Sequence, residues 1–175
     1  GQAAKLRWKK LEPSLDPKDR QLLAILQDDG RLKRNELAER VGLSLPAVSE
    51  RMRKLEARGI IQGYHAVVNH QALGFDLTAF IRVSVVGSSH YQDFVARAVE
   101  LPEVQECHSI TGDGSHLLKI RTLNTASLER LLSTLQGWPG VKRTDTSIVL
   151  SSFKETRSVP GTIPARDKAR EKTGV

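Results

Sequence analysis

The chain has 175 residues, of which 39% are hydrophobic, enough to form the cores of one or two small domains. Its 27 basic and 20 acidic residues give a net charge of +7, and the basic excess lies at the two ends. Residues 1–64 carry 14 basic and 9 acidic side chains, residues 65–153 carry 7 and 8, and residues 154–175 carry 6 and 3. We therefore expect a polyanionic partner to bind the ends rather than the middle.

Several classes of protein are excluded by what the sequence lacks. It contains no run of about 18 apolar residues to span a bilayer, and its first residues lack the apolar core of a signal peptide. Its one cysteine, Cys107, cannot form an intramolecular disulfide. The sequence thus predicts a cytoplasmic protein without a membrane partner.

Three short amphipathic helices are predicted between residues 16 and 64. Asp16 as N-cap and Pro17 at the first helical position begin the first helix. The run Asp28-Asp29-Gly30 ends it, with a glycine that tolerates positive φ. Gly42 is expected to be left-handed and to end the second helix at a sharp corner.

The third helix follows this corner immediately. Ser44 is its predicted N-cap and Gly59 its terminator, while Val48, Met52 and Leu55 share the inward face. A capped helix after a glycine corner, within three short helices, is typical of the recognition helix of a helix-turn-helix unit.

The outward side chains of this helix are the predicted contacts to double-stranded DNA. In helix-turn-helix complexes these positions meet base edges and phosphates. A glutamate there suits a cytosine amine, and arginine or lysine suits guanine or phosphate. The alternative is a merely solvated helix face. The predicted contacts are Ser44, Pro46, Ala47, Ser49, Glu50, Arg51, Arg53 and Lys54.

The hydrophobic pattern changes after a short wing or connecting strand, which is predicted over residues 60–68. A strand, a helix and a strand then occur twice, and Pro102 and Pro139 lie 37 positions apart in the two repeats. The predicted strands span 77–86, 104–111, 115–122 and 141–153, and the predicted helices span 91–99 and 125–136. This order predicts an α+β fold: a ferredoxin-like βαββαβ sandwich, with both helices on one face of an antiparallel sheet, following the helix-turn-helix domain.

The face of this sheet away from the helices is predicted to form a homodimer. Phe80 and Val86 lie on it by alternation, and an apolar face of this kind is best covered by a second copy. Two recognition helices would then address two DNA half-sites about one helical turn apart, or a multiple of that distance.

The predicted domain boundaries follow from these patterns. For the basic N-terminal extension and the C-terminal tail, DNA contact and simple solvation both remain open. The segments are 1–14 (extension), 15–64 (helix-turn-helix domain), 65–76 (connecting linker), 77–155 (ferredoxin-like domain) and 156–175 (basic tail).

Residues 15–155 closely resemble the Lrp/AsnC (feast/famine) family of transcription factors. The resemblance lies in LDxxDRxLLxxLQxDGR, ELAERVGLS, RMRKLEARGII and ITGDGSHLLKIRT, together with LPEV and WPGV. It implies a transcriptional regulator rather than an enzyme. It also implies a dimer that commonly assembles to an octamer, and an amino-acid effector bound between the sheet domains of neighbouring subunits.

The resemblance also implies the effector site. The implied residues are Thr111, Gly112, Asp113, Gly114 and Ser115 of a loop, with Thr144, Thr146 and Ile148 of the last strand facing it. The family usually has an aromatic-Asp-aromatic run where this chain has Gly114-Ser115-His116. Without a carboxylate at position 115, effectors with basic side chains are disfavoured. Lys33 stands where the family often has a serine that caps the second helix, a loss of about 1 kcal/mol.

Other interpretations of these residues remain open. The Gly112–Gly114 run also suits a plain hairpin turn. His108 and His116, predicted as diagonal neighbours across the hairpin, would suit a metal or a pH response, although two histidines without a third ligand predict no metal site. A weakly specific architectural DNA-binding protein is a second function, and a ferredoxin-like enzyme a third. The sequence shows no nucleophile and base pairing, so we expect no enzyme and no cofactor.

Overall fold

The computed structural model describes residues 15–160. The predictions for the N-terminal extension and for residues 161–175 of the tail therefore lie outside the described residues. The described residues form two compact units, one of residues 15–66 with 156–160 and one of residues 67–155. Within these residues no helix is long and apolar enough to cross a membrane.

The first unit is built from three helices around one small core. They are α1 (Pro17–Asp28), α2 (Arg34–Val41) and α3 (Leu45–Ala57). Asp16 caps α1 by accepting from the backbone N–H of Asp19 at 2.8 Å. The core contains Leu22, Leu26, Leu37, Ala38, Val41, Val48 and Met52. These are the inward faces that the helical periodicity predicts.

The corner between α2 and α3 has the predicted geometry. Gly42 is left-handed, with φ at 64°, so a residue with a side chain would be strained there. Ser44 then caps α3 by accepting from the N–H of Ala47 at 3.4 Å. Helix α3 ends before Gly59, which is also left-handed.

Helix α1 ends within the predicted run Asp28-Asp29-Gly30. Asp29 is its C-cap, in an extended conformation with its N–H on the carbonyl of Ile25, and Gly30 does not adopt positive φ. The predicted strand over residues 60–68 is wrong, because no neighbouring strand in the described residues pairs with their backbone.

The second unit is a four-stranded antiparallel sheet with two helices. In chain order the elements are β1 (Leu77–Val85), α4 (Tyr91–Glu100), β2 (Val104–Ser109), β3 (His116–Thr122), α5 (Thr125–Gln136) and β4 (Val141–Ile148). The spatial order of the strands is β2-β3-β1-β4, the order of a ferredoxin-like fold.

The core of this unit lies between one face of the sheet and both helices. The odd-numbered residues of β1 are all buried, and they pack with Phe94 and Ala98 of α4 and with three leucines of α5. Val99 is exposed, because the buried stripe of α4 runs through Phe94 and Ala98. The predicted fold class is confirmed.

Strands β2 and β4 are shorter than predicted. Strand β2 ends at Ser109 rather than Thr111, and β4 ends at Ile148 rather than Phe153. The last ladder-like bond beyond β4 joins the N–H of Val149 to the carbonyl of Thr78. Because β1 begins at Leu77, later residues have no strand to pair with.

Candidate DNA-binding surface and effector loop

Helix α3 carries the candidate DNA-binding surface. Val48, Met52 and Leu55 are buried, so the opposite side of the helix faces out. Of the predicted contacts, Ser44, Pro46, Glu50, Arg53 and Lys54 are exposed, and Ala47, Ser49 and Arg51 are partly buried. Their contact with DNA stays a prediction.

Glu50 and Arg53 form a paired group on the exposed face. Arg53 donates from Nε and Nη2 to the two carboxylate oxygens of Glu50, each at 2.8 Å, and Lys54 lies 3.6 Å from Glu50. The hydrogen bonds from Arg53 lower the pKa of Glu50 to about 2. Such exposed ion pairs are weak, so a phosphate or base can compete for Arg53.

Arg51, unlike Arg53 and Lys54, pairs with acidic side chains of another helix. Its guanidinium points to the N-terminal end of α1, with Nη1 at 2.5 Å from Asp16 and 2.7 Å from Asp19. Sequence reasoning missed this pairing because the partners are 35 and 32 positions away. Sequence reasoning also left Leu45 out of the candidate DNA-binding surface, although it is an exposed apolar residue at the start of α3. Its position directly after the N-cap Ser44 is the sequence signal that could have placed it there.

The loop between β2 and β3 is the candidate effector loop. Gly112 and Gly114 both have φ at 89°, the left-handed region that favours glycine. A Cβ at Gly114 would lie 2.7 Å from Cγ of Arg82 and 3.2 Å from the carbonyl oxygen of Val83. Arg82, which no sequence pattern pointed to, therefore packs over the loop. Thr111, Gly112 and Asp113 are exposed.

Ser115 attaches the base of this loop to the end of β1. Its N–H donates to the carbonyl of Val83 at 2.9 Å, and its Oγ accepts from the N–H of Val85 at 3.0 Å. The same hydroxyl lies 3.2 Å from the carbonyl oxygen of Val83 and 2.8 Å from Nδ1 of His116. The Ser115 hydroxyl therefore holds the loop against the end of β1.

His116 is buried in the core directly beneath the loop. It is 0% exposed, and its ring lies edge-on to Tyr91, with centroids 5.0 Å apart, and 4.7 Å from the ring of Phe94. Its Nε2 has no hydrogen-bond partner among the described residues. Burial lowers the pKa of His116, so the imidazole is neutral at pH 7.

The predicted pairing of His108 with His116 is wrong by one residue. The register places Ser109 opposite His116 and Leu117 opposite His108, so the two histidines lie on opposite faces of the sheet. His108 instead contacts Glu106 at 3.2 Å. The described ranges contain no group of three or more side chains that could hold a metal ion.

The predicted effector residues of β4 lie across β1 from the loop. Thr144, Thr146 and Ile148 are opposite Val83, Ile81 and Ala79 of β1. Thr144 accepts from Nε2 of Gln136 at 2.8 Å. Ser115 and Thr144 flank Val83 on opposite sides, about 10 Å apart by two strand spacings. One chain therefore does not bring the loop and the β4 residues together in one cavity.

These features define a class of protein. A capped recognition helix with a basic exposed face, in a helix-turn-helix unit, and a ferredoxin-like unit with a glycine-rich loop are the parts of a DNA-binding transcriptional regulator with a ligand-sensing domain. Family models match both parts: residues 15–62 match a winged helix-turn-helix DNA-binding model, and residues 78–159 match the Lrp/AsnC ligand binding domain. The chain belongs to the Lrp/AsnC family of transcriptional regulators.

Curated relatives and solved structures agree with this assignment. The chain is 39% identical to the HTH-type transcriptional regulator LrpA of Mycobacterium tuberculosis, over 84% of this chain and 97% of that protein. It is also 39% identical to the leucine-responsive regulatory protein of Salmonella typhimurium, over 81% and 88%. The predicted resemblance is confirmed.

Two similar solved structures contain an amino acid. A transcriptional regulator from Neisseria meningitidis, solved as a complex with L-Met, matches with a TM-score of 0.80 and 36% identity over 84% of this chain and 97% of that one. A feast or famine regulatory protein from M. tuberculosis, complexed with L-methionine, matches with a TM-score of 0.78 and 39% identity over 83% and 99%.

Proposed function

We propose that this regulator binds specific DNA sites through α3 and changes its affinity for them when an amino acid binds at the 111–115 loop. The observation that carries the proposal is the exposed face of α3, where Arg53 and Lys54 pair, among the described residues, with Glu50 of the same helix. The proposed base and phosphate contacts are Ser44, Pro46, Ala47, Ser49, Glu50, Arg53 and Lys54.

The proposed domains keep the boundaries drawn from the sequence. Residues 15–64 bind DNA, residues 65–76 connect, and residues 77–155 bind the effector and oligomerise. The proposed location is the cytoplasm, where a transcriptional regulator of a bacterium reaches the DNA.

The proposed effector is an uncharged amino acid, with L-methionine as the first candidate. Support comes from the two L-methionine complexes among the structural relatives and from the engaged hydroxyl at position 115, which offers no carboxylate to a basic side chain. Asp113 is exposed in the loop and is the proposed partner of the effector's ammonium group.

A second copy of the chain completes the proposed effector site. Because the loop and Thr144 lie on opposite sides of β1, residues of a neighbouring subunit are needed to close a cavity around a ligand. Thr146 and Ile148 are then available to the loop of another copy. An effector bound between subunits controls assembly if it binds one assembly more tightly than another.

The proposed dimer forms through the outer face of the sheet. Phe80 is exposed there, between Lys119 of β3 and Ser147 of β4. Lys119 and Arg121 on the same face are mostly buried and bind Glu155 from the segment after β4. Further association of dimers, to an octamer in the proposed assembly, leaves this face in place.

A thermal-shift panel of the amino acids tests the effector. Binding to the folded protein raises the unfolding free energy by about 2.7 kcal/mol at one hundred times the dissociation constant. We expect L-methionine or another uncharged amino acid to raise the midpoint temperature of thermal unfolding. Asp113→Asn should abolish this rise, whereas the matched variant Asp76→Asn, before the opposite end of β1, should retain it. No rise with any amino acid would contradict the proposed effector class.

A further inference from the structure

We propose that Arg51 is a positioning residue that fixes the orientation of the recognition helix α3 against α1, rather than a residue that touches DNA. The inference rests on the DNA-binding function of α3. It assigns a separate role to one basic residue of that helix, and it names Asp16 and Asp19 as its partners.

The contacts of Arg51 cross from one helix to another. Its Nη1 donates to Oδ2 of Asp16 at 2.5 Å and to Oδ1 of Asp19 at 2.7 Å. The side chain of Arg51 is 31% exposed and that of Asp19 only 13%. By contrast, Arg53 is 65% exposed and pairs within its own helix.

Asp16 and Asp19 also form the capping box of α1. Oδ1 of Asp16 accepts from the N–H of Asp19 at 2.8 Å, and Oδ2 of Asp19 accepts from the N–H of Asp16 at 3.4 Å. The remaining oxygen of each carboxylate accepts from Arg51. All four carboxylate oxygens are thus occupied, and the end of α1 and the middle of α3 share one network.

This link adds a direct polar contact between α1 and α3 to the shared apolar core. Helix α3 packs mainly on α2 within this unit, and α2 packs in turn on α1. Arg51 joins α3 directly to α1. A recognition surface must be held within about 0.5 Å and 10–20° to keep its contacts. The hydrogen bonds that Asp16 accepts, from the backbone of Asp19 and from Arg51, lower its pKa, which keeps that carboxylate charged at neutral pH.

The alternative is that Arg51 leaves the carboxylates and binds a phosphate. The two roles predict opposite signs for the partner variant Asp16→Asn. Asparagine still caps a helix, so α1 is retained while one of the two charges that hold Arg51 is removed. If Arg51 binds phosphate, removing this acidic competitor tightens DNA binding. If Arg51 positions α3, the same change weakens binding to the specific site and leaves nonspecific binding unchanged or tighter.

The experiment measures affinity across a salt series for a duplex that the wild-type full chain selects from a random library. We expect Arg51→Met and Asp16→Asn each to weaken specific binding about five- to ten-fold, and the double variant to be no worse than Arg51→Met alone. Arg51→Met should leave the slope of log K against log salt unchanged. The matched pair Arg53→Met and Lys54→Met should lower it by about 0.9 for each phosphate that the side chain no longer neutralises. Arg51→Lys should restore part of the affinity.

A lower salt slope for Arg51→Met, or tighter specific binding by Asp16→Asn, would overturn the positioning role. If Arg51→Met fails to unfold cooperatively, two comparisons decide the question. They are the specific affinity of Asp16→Asn, and that of Asp16→Asn combined with Arg51→Lys against Arg51→Lys alone. Failure of the wild-type chain to select any duplex would count against DNA recognition by α3 instead, so the two failures are distinguishable.

Discussion

The glycines of the 111–115 loop differ at the residue scale in a way that mutation can measure. Gly112 and Gly114 have the same φ of 89°, but only Gly114 has neighbours within the reach of a Cβ. Gly112→Ala should cost about 1 kcal/mol of unfolding free energy from backbone strain alone. Gly114→Ala should cost about 2 kcal/mol or more, because Arg82 must also move. Urea denaturation measures both variants, and equal destabilisation would contradict the packing of Arg82 over the loop.

We expect His116 to make the unfolding free energy depend on pH. Its folded-state pKa is lowered by burial from its ordinary value of 6.5, so the unfolded chain takes up a proton at a higher pH than the folded chain does. Stability should therefore fall as the pH is lowered from about 7.5 through 6.5 towards 5. His116→Phe, which keeps a ring against Tyr91 and Phe94, should flatten this dependence. His108→Gln, on the opposite face, should not. Parallel unfolding profiles for wild type and His116→Phe over this range would rule out His116 as the source.

At the scale of the elements, helix α2 lacks a side-chain cap at its N-terminus, and supplying one should raise stability. Lys33 occupies the N-cap position of α2 with extended backbone but makes no capping bond. Lys33→Ser would create a capping box with Glu36, three residues on, and should raise the unfolding free energy by about 1 kcal/mol. Lys33→Ala is the control, because it removes the lysine without supplying an oxygen. A gain of equal size for both variants would show that capping is not the cause.

The elements themselves could be predicted because their signals are local. Asp16 with Pro17, the Gly42 corner and the Ser44 cap mark helix ends, and the alternation of Leu77 to Val85 marks a strand. Each of these signals depends on residues within one or two turns of the chain.

The wrong predictions and the missed contacts depend on residues that meet only after folding. The β2–β3 register is one position from the prediction, because the connecting turn is longer than three residues: the N–H of Ile110 bonds to the carbonyl of Ser115 beyond the pair of Ser109 with His116. Strand β4 stops where β1 offers no further partner. The ion pairs of Arg51 with Asp16 and Asp19 could not be predicted, because spacing along α3 cannot show acidic partners on α1.

At the scale of the whole molecule, the proposed dimer depends on the exposed side chain of Phe80. Phe80 lies at the centre of the outer face of the sheet, and a charge there opposes burial against a second copy. Phe80→Asp should shift the sedimentation coefficient from dimer or larger towards monomer and weaken operator binding. Val99→Asp is the matched control, because Val99 is also apolar and exposed but lies on α4. Dimers that persist in Phe80→Asp would place the interface elsewhere.

The central claim is that this Lrp/AsnC protein recognises particular DNA sequences through α3 and not DNA in general. The most direct measurement is a competition titration of the full chain, at physiological salt, between its selected duplex and a scrambled duplex of equal length. We predict at least about a thousand-fold preference for the selected duplex, in the range of specific regulators. Similar affinity for both duplexes, with the same steep dependence on salt, would contradict the claim and identify a weakly specific architectural protein.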